Sequence, residues 1–222
     1  MIITDDDTCK ISRIFTDNID KGTWVYSYGG CGTNYLRKVF NIYKFRLNSD
    51  EASKRIPNII KSIHVISPPL TNKNPFVAIY VYGNPIHSII SICNRKIANT
   101  INVLAGQNIF NHNNKVNLED ILSYNSDILR LEEHFDNWYT YSGNYPIVFI
   151  NYDTLTKEKL QNICVELKEK YNVNFNEKAI ERFKPTRRSS YESISSEQLN
   201  KLKKIYNNLI VKINSLPDFF IK

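Results

Sequence analysis

Residues 23–40 read TWVYSYGGCGTNYLRKVF. The first six, Thr23–Tyr28, are β-branched or aromatic apart from one serine, a composition typical of a strand. Three of the next four residues, Gly29–Gly32, are glycines, and apolar residues then recur at helical spacing over Thr33–Tyr43. The stretch therefore predicts a strand, a glycine turn and a helix. Such a unit can hold an anion, because glycines allow close approach and the first N–H groups of a helix are unpaired.

The rest of the chain alternates in the same way. Short apolar runs predict strands at Ile59–Ile66, Phe76–Val81 and Pro146–Ile150. Helical spacing of apolar residues predicts helices at Ile86–Ile97, Lys157–Tyr171, Ser196–Ile213 and, as one long or broken helix, Leu118–Tyr141. A polar loop is predicted at Arg182–Ser193. This order predicts an α/β fold with a mainly parallel central sheet flanked by helices. We expect one domain over residues 1–222, with residues 1–20 as an N-terminal extension.

The composition favours a folded domain with an anionic ligand. Hydrophobic residues make up 42% of the 222 residues, and the formal net charge is +7. A moderate positive charge attracts nucleotides, acidic glycans, nucleic acids or acidic membranes without choosing among them. The chain has no long run of like charges, no apolar stretch of transmembrane length and no signal peptide at its acidic start. We therefore expect a cytoplasmic protein with neither a nucleic-acid nor a membrane partner.

The cysteines and the glycine turn exclude two kinds of site. The four cysteines, at positions 9, 31, 93 and 164, do not have metal-ligand spacing, so we expect reduced thiols and no bound metal. The phosphate loop of nucleoside triphosphatases ends in Gly-Lys-Ser/Thr, whereas here Thr33 follows Gly32 directly. The missing lysine between Gly32 and Thr33 argues against a nucleotide-dependent kinase or hydrolase. A tight turn with a purely structural role is the other interpretation of the glycines.

The order of the segments resembles the sulfotransferase family, whose members use 3′-phosphoadenosine 5′-phosphosulfate (PAPS) as donor. The glycine turn is similar to the family's 5′-phosphosulfate loop, which reads roughly Pro-Lys-Ser-Gly-Thr-Thr. Phe76–Ser91 resembles the 3′-phosphate segment, since it contains Asn84-Pro85 and places Ser91 eight residues after Gly83. Further similarities are found at Lys61–His64 (the strand end with the catalytic histidine), Glu133–Trp138, Asn151–Leu155 and Phe183–Ser190 (the second 3′-phosphate loop).

This resemblance implies a P-loop-like sulfotransferase architecture and a reaction without metal. A sulfuryl group would pass from PAPS to a hydroxyl or amine of a small molecule, glycan or protein, releasing PAP. The implied general base is His64. The implied donor-binding residues are Gly29, Gly30, Cys31, Gly32, Thr33 and Asn34 for the 5′-phosphosulfate, and Ser91, Arg187 and Arg188 for the 3′-phosphate. The acceptor pocket is expected from the loops Leu47–Pro57 and Ala98–Leu118.

Two departures from the family concern basic residues. Gly30 stands where the family has a loop Lys or Arg, and Gly83 stands where it has the Arg for the 3′-phosphate. Losing one charge-assisted contact costs about 1.5–3 kcal/mol unless another group replaces it. Lys61 or Arg37 are candidates to reach the sulfonate. The alternative is a sulfotransferase-like protein without catalysis that binds a nucleotide or a glycan.

The remaining polar and aromatic residues favour structural roles. His87 is an alternative general base, but its position predicts a solvated helix residue, as for Glu132, Glu133 and His134. Packing is predicted for Cys31, Trp138, Tyr139 and Tyr141, and a role in holding the sheet end together for Tyr152 and Asp153.

Overall fold

One sheet of four strands organises the part of the chain that the computed structural model describes, namely residues 23–40, 66–68, 77–95, 98–107, 109–110, 116–184 and 191–222. The strands stand in the order β1 (Trp24–Tyr26), β2 (Ala78–Tyr82), β3 (Ile147–Asn151) and β4 (Phe219–Ile221). The first three are parallel, with Val25 opposite Ile79 and Ile79 opposite Val148. The last is antiparallel, with Phe149 opposite Phe220.

The sequence pattern of each strand matches its place in the sheet. Every residue of β1, β2 and β3 is buried, which accounts for their continuous apolar runs. The predicted mainly parallel α/β fold is thus confirmed for the described residues. Of the predicted strand Ile59–Ile66, all but Ile66 lies outside them. The edge strand β4, three half-buried residues long, was not predicted.

Several of the eight described helices begin at residues whose side chains cap the first turn. The eight helices are α1 (Thr33–Val39), α2 (Pro85–Asn94), α3 (Ala98–Ala105), α4 (Leu118–Leu122), α5 (Leu131–Tyr139), α6 (Lys157–Tyr171), α7 (Glu177–Glu181) and α8 (Ser196–Asn214), with a 3-10 turn at Tyr191–Ser193. Thr156 caps α6 and Ser195 caps α8 through side-chain oxygens that accept backbone N–H groups. The predicted α2, α6 and α8 are confirmed to within a few residues.

The outcomes of the remaining helix predictions differ. Leu118–Tyr141, predicted as one long or broken helix, is broken into α4 and α5, since Asn125 and Arg130 adopt left-handed backbone conformations between them. Residues 98–105, expected as part of an acceptor-binding loop, form α3. The short helix α7 was not predicted. The other expected acceptor loop, Leu47–Pro57, lies outside the described residues.

The helices pack in two groups. One consists of α2, α4, α5 and α8, in which α8 contacts the other three, and the second consists of α1, α6 and α7. Trp138 of α5 stacks on Tyr80 of β2 with ring centroids 5.0 Å apart, and Phe135 meets Tyr80 edge-on at 6.0 Å. The predicted packing role of Trp138 is confirmed, since its side chain is fully buried. Among the described helices, none has the length and apolar character needed to cross a membrane.

Candidate functional site

The carboxyl ends of the three parallel strands are joined directly to one another. The Tyr28 hydroxyl, just beyond β1, accepts the N–H of Gly83 at 3.0 Å and donates to the Gly83 carbonyl. The N–H of Tyr152, just beyond β3, donates to the carbonyl of Tyr82 at 2.8 Å. Open α/β sheets bind their ligands in the crevice outside these strand ends. The positions of the predicted site residues are therefore described relative to this carboxyl edge of the sheet.

The glycine turn between β1 and α1 has the form that the sequence predicts. Gly29, Gly30 and Gly32 have φ angles of 94°, 73° and 74°, in the left-handed region that favours glycine. The Ser27 hydroxyl accepts the N–H of Gly29 at 2.9 Å and lies 2.5 Å from the Thr33 hydroxyl. The Thr33 hydroxyl therefore helps to close the turn, while Asn34 is exposed on the first turn of α1.

The glycines also allow the turn to pack closely on its neighbours. A Cβ atom added to Gly30 would lie 2.5 Å from the Cα of Ser88 on α2, and one added to Gly32 would lie 2.0 Å from the Tyr152 ring. Gly30 and Gly32 therefore have the structural role that was the other interpretation of the glycines, since each allows a close contact that a side chain would prevent. The basic residue that the resembling family carries in place of Gly30 has no room unless α2 shifts.

Cys31 is held inside the turn as a packing residue. Its side chain is buried, and its thiol donates to the Val81 carbonyl at 3.2 Å. Burial raises the pKa of the Cys31 thiol to about 12, so the thiol is neutral near neutral pH. The predicted packing role is confirmed, and nucleophilic chemistry at this position is disfavoured.

This burial predicts the response of the thiols to alkylation. Burial raises the pKa of Cys93 and of Cys164 to about 12 as well. Because alkylating agents react with the thiolate, we expect iodoacetamide at about pH 8 to leave Cys31, Cys93 and Cys164 unmodified in the native protein and to modify them after unfolding. Peptide mass spectrometry measures both states. Native-state modification of Cys31 at the rate of an unfolded thiol would contradict the closed turn.

Asp153 ties the end of β3 to the start of α2. Its Oδ2 accepts the N–H of Asn84 at 2.5 Å and lies 3.5 Å from the Nδ1 of His87. The Asn84 side chain in turn accepts the N–H of Ile86 at 2.9 Å, which caps α2. A Cβ added to Gly83 would stand 3.2 Å from the Asp153 carboxyl group. The role predicted for Asp153 in holding the sheet end is confirmed.

His87 is buried, so its prediction as a solvated helix residue is wrong. Only 8% of the residue is exposed. Its ring stacks on Tyr191, with centroids 4.6 Å apart and planes 30° apart, and the Tyr191 hydroxyl accepts from the Asn84 side chain at 3.0 Å. Sequence reasoning missed this cluster because Asp153 and Tyr191 come from distant segments. The only local signal was the position of His87 in the first turn after Asn84-Pro85.

His134 is also buried rather than solvated. It is 1% exposed, and its Nδ1 lies 2.9 Å from the Tyr80 hydroxyl. Its neighbour Glu133 is exposed, as predicted, and pairs with Arg130. Because His134 faces the sheet from α5, it belongs to the core and not to the site.

The other predicted site residues fall into two sets. Ser91 is buried on α2, four residues after His87 and therefore on the same side of the helix. His64, Lys61, Arg187 and Arg188 lie outside the described residues. On either side of the two arginines, Phe183 meets the Tyr152 ring at 6.3 Å and Tyr191 stacks on His87. Both described flanks of the arginine segment thus contact the carboxyl edge.

Neither a cluster of metal-binding side chains nor a similar known protein points to a function for the described part of the chain. No group of three or more His, Cys, Asp or Glu residues in the described part of the chain is arranged to hold a metal ion. Comparison with protein-family models, curated proteins and solved structures finds no match. Functional inference therefore depends on the residues at the carboxyl edge.

Proposed function

We propose that this chain is a sulfotransferase that transfers a sulfuryl group from PAPS to a hydroxyl or amine and releases PAP. The observation that carries the proposal is that three distant segments meet beside Tyr152 at one edge of the sheet. They are the glycine turn, the start of α2 and the residues on either side of 185–190. The turn around Gly30 packs on Ser88, the Tyr152 ring lies between Gly32 and Phe183, and Tyr191 stacks on His87. In the family that the sequence resembles, the corresponding segments hold the 5′ and 3′ groups of a single nucleotide.

The proposed division of labour follows the chemistry of the donor. Sulfuryl transfer requires that donor and acceptor be aligned and that the charge growing on the leaving phosphate be stabilised. We assign the 5′ end to the backbone N–H groups of Gly30–Asn34, since the N–H of Gly29 already bonds Ser27. Ser91, Arg187 and Arg188 are assigned to the 3′-phosphate, and His64 to removal of the acceptor's proton.

A second candidate function is nucleotide or glycan binding without catalysis. Two contacts favour it: the backbone of Ser88 fills the space beside Gly30, and the Asp153 carboxyl group lies beside Gly83. Gly30 and Gly83, the two positions where the family carries a basic residue, are thus closely packed against other residues of this edge. A site with fewer fixed cations stabilises the charge of a transition state less well.

Binding of PAP tests both candidates. We expect calorimetric titration without added metal to give a Kd of about 1 μM for PAP, at least about tenfold tighter than for ATP, because ATP lacks the 3′-phosphate. Absence of PAP binding would refute the proposed function. PAP binding without sulfation of any member of an acceptor panel would select the second candidate.

The assignment of Arg187 predicts selective loss of affinity. Arg187→Ala is expected to weaken PAP binding by about tenfold to a hundredfold and to leave adenosine 5′-phosphosulfate binding unchanged, because only PAP carries the 3′-phosphate. The exposed Lys203→Ala on α8 changes the net charge equally and serves as the control. Equal weakening of both ligands would remove Arg187 from the 3′-phosphate site.

A further inference from the structure

A histidine stands at the start of α2, close to Gly83 in the chain. His87 lies four residues after Gly83, in the first turn of α2, and it is enclosed by Asp153 and Tyr191. We propose that His87 supplies the positive charge for the 3′-phosphate of PAP, which therefore binds to the protonated imidazole. This inference rests on the donor site proposed above. This role differs from that of a general base, which requires a neutral ring.

The net charge of His87 and Asp153 together decides whether an anion can approach the start of α2. With a neutral His87, the Asp153 carboxylate leaves the start of α2 with one negative charge, and it already occupies the N–H of Asn84. Protonation of His87 makes the His87–Asp153 pair neutral and turns both ring nitrogens into N–H donors. Anion binding and proton uptake at His87 are therefore coupled.

Two segments besides α2 enclose His87. The described titratable groups that face His87 are Asp153, from the loop after β3, and Tyr191, from the 3-10 turn, whose phenol stays neutral where imidazole titrates. The Tyr191 ring covers the imidazole and is fixed by its hydrogen bond to Asn84.

The test compares PAP with AMP, which lacks the 3′-phosphate, in the wild type and in His87→Gln. At about pH 5.5, we expect the wild type to bind PAP about tenfold more tightly than the variant, and this ratio to approach one at about pH 8. For AMP the ratio stays near one throughout. Taking the ratio cancels the titration of the phosphates themselves. A structural defect in the variant would weaken both nucleotides equally.

Asp153→Asn supplies an independent readout, because it can still accept the Asn84 N–H. This variant is expected to bind PAP more tightly than the wild type at about pH 8, because it removes the carboxylate that repels the phosphate when His87 is neutral. A pH-independent ratio of PAP affinities between wild type and His87→Gln overturns the inference. If His87→Gln fails to fold, an Asp153→Asn profile identical to that of the wild type overturns it. Failure of the wild type to bind PAP at any pH refutes the proposed donor site itself.

Discussion

Gly30→Ala is expected to lower the free energy of unfolding by about 3 kcal/mol, the sum of a left-handed backbone penalty and overpacking. Gly30 has a φ of 73°, and an added Cβ would lie 2.5 Å from the Cα and 2.6 Å from the carbonyl oxygen of Ser88. Both obstacles are backbone atoms of α2, so no side-chain rotation relieves the contact. Either the turn or the helix must move.

Gly106→Ala is the matched control for this substitution. Gly106 has a similar φ of 68°, but the nearest atom to its added Cβ is the end of the Arg130 side chain, at 2.4 Å. Since a flexible side chain can move away, we expect a cost of about 1 kcal/mol, from the backbone alone. Urea denaturation followed by circular dichroism measures both variants. Equal costs would mean that the glycine turn does not pack on α2 as described.

Trp138→Ala is expected to lower the free energy of unfolding by about 4 kcal/mol, because it removes a large buried side chain from a closely packed core. The Trp138 ring is fully buried and lies against Tyr80 at 5.0 Å and Tyr26 at 4.7 Å. It therefore joins α5 to both β1 and β2. Loss of this contact loosens the strand that leads into the glycine turn.

An exposed aromatic residue provides the comparison for Trp138. Tyr124 is 47% exposed, and Tyr124→Ala is expected to change stability by no more than about 0.5 kcal/mol. The same denaturation measurement applies to both variants. A Trp138→Ala cost below about 1.5 kcal/mol would contradict the placement of α5 on the sheet.

Elements with strong local signals were predictable from the sequence. α6 was predicted with the observed bounds, Lys157–Tyr171, because apolar residues recur on one face and Thr156 caps the first turn. The break between α4 and α5 was not fixed by the sequence pattern. It depends on the left-handed conformation of Arg130, a residue type that seldom adopts it. The strand β4 is too short for a pattern and forms only because Phe220 pairs with Phe149.

The candidate site divides in the same way. By itself the sequence determined the glycine turn and the buried parallel strands, since glycine spacing and apolar runs constrain the backbone locally. Only the tertiary structure decided that His87 is buried, that Asp153 bonds Asn84 and that Tyr191 covers the pair. Asp153 and Tyr191 lie 69 and 107 positions from Asn84 along the chain. Contacts at such separations depend on how strands and helices pack, for which a local pattern carries no signal.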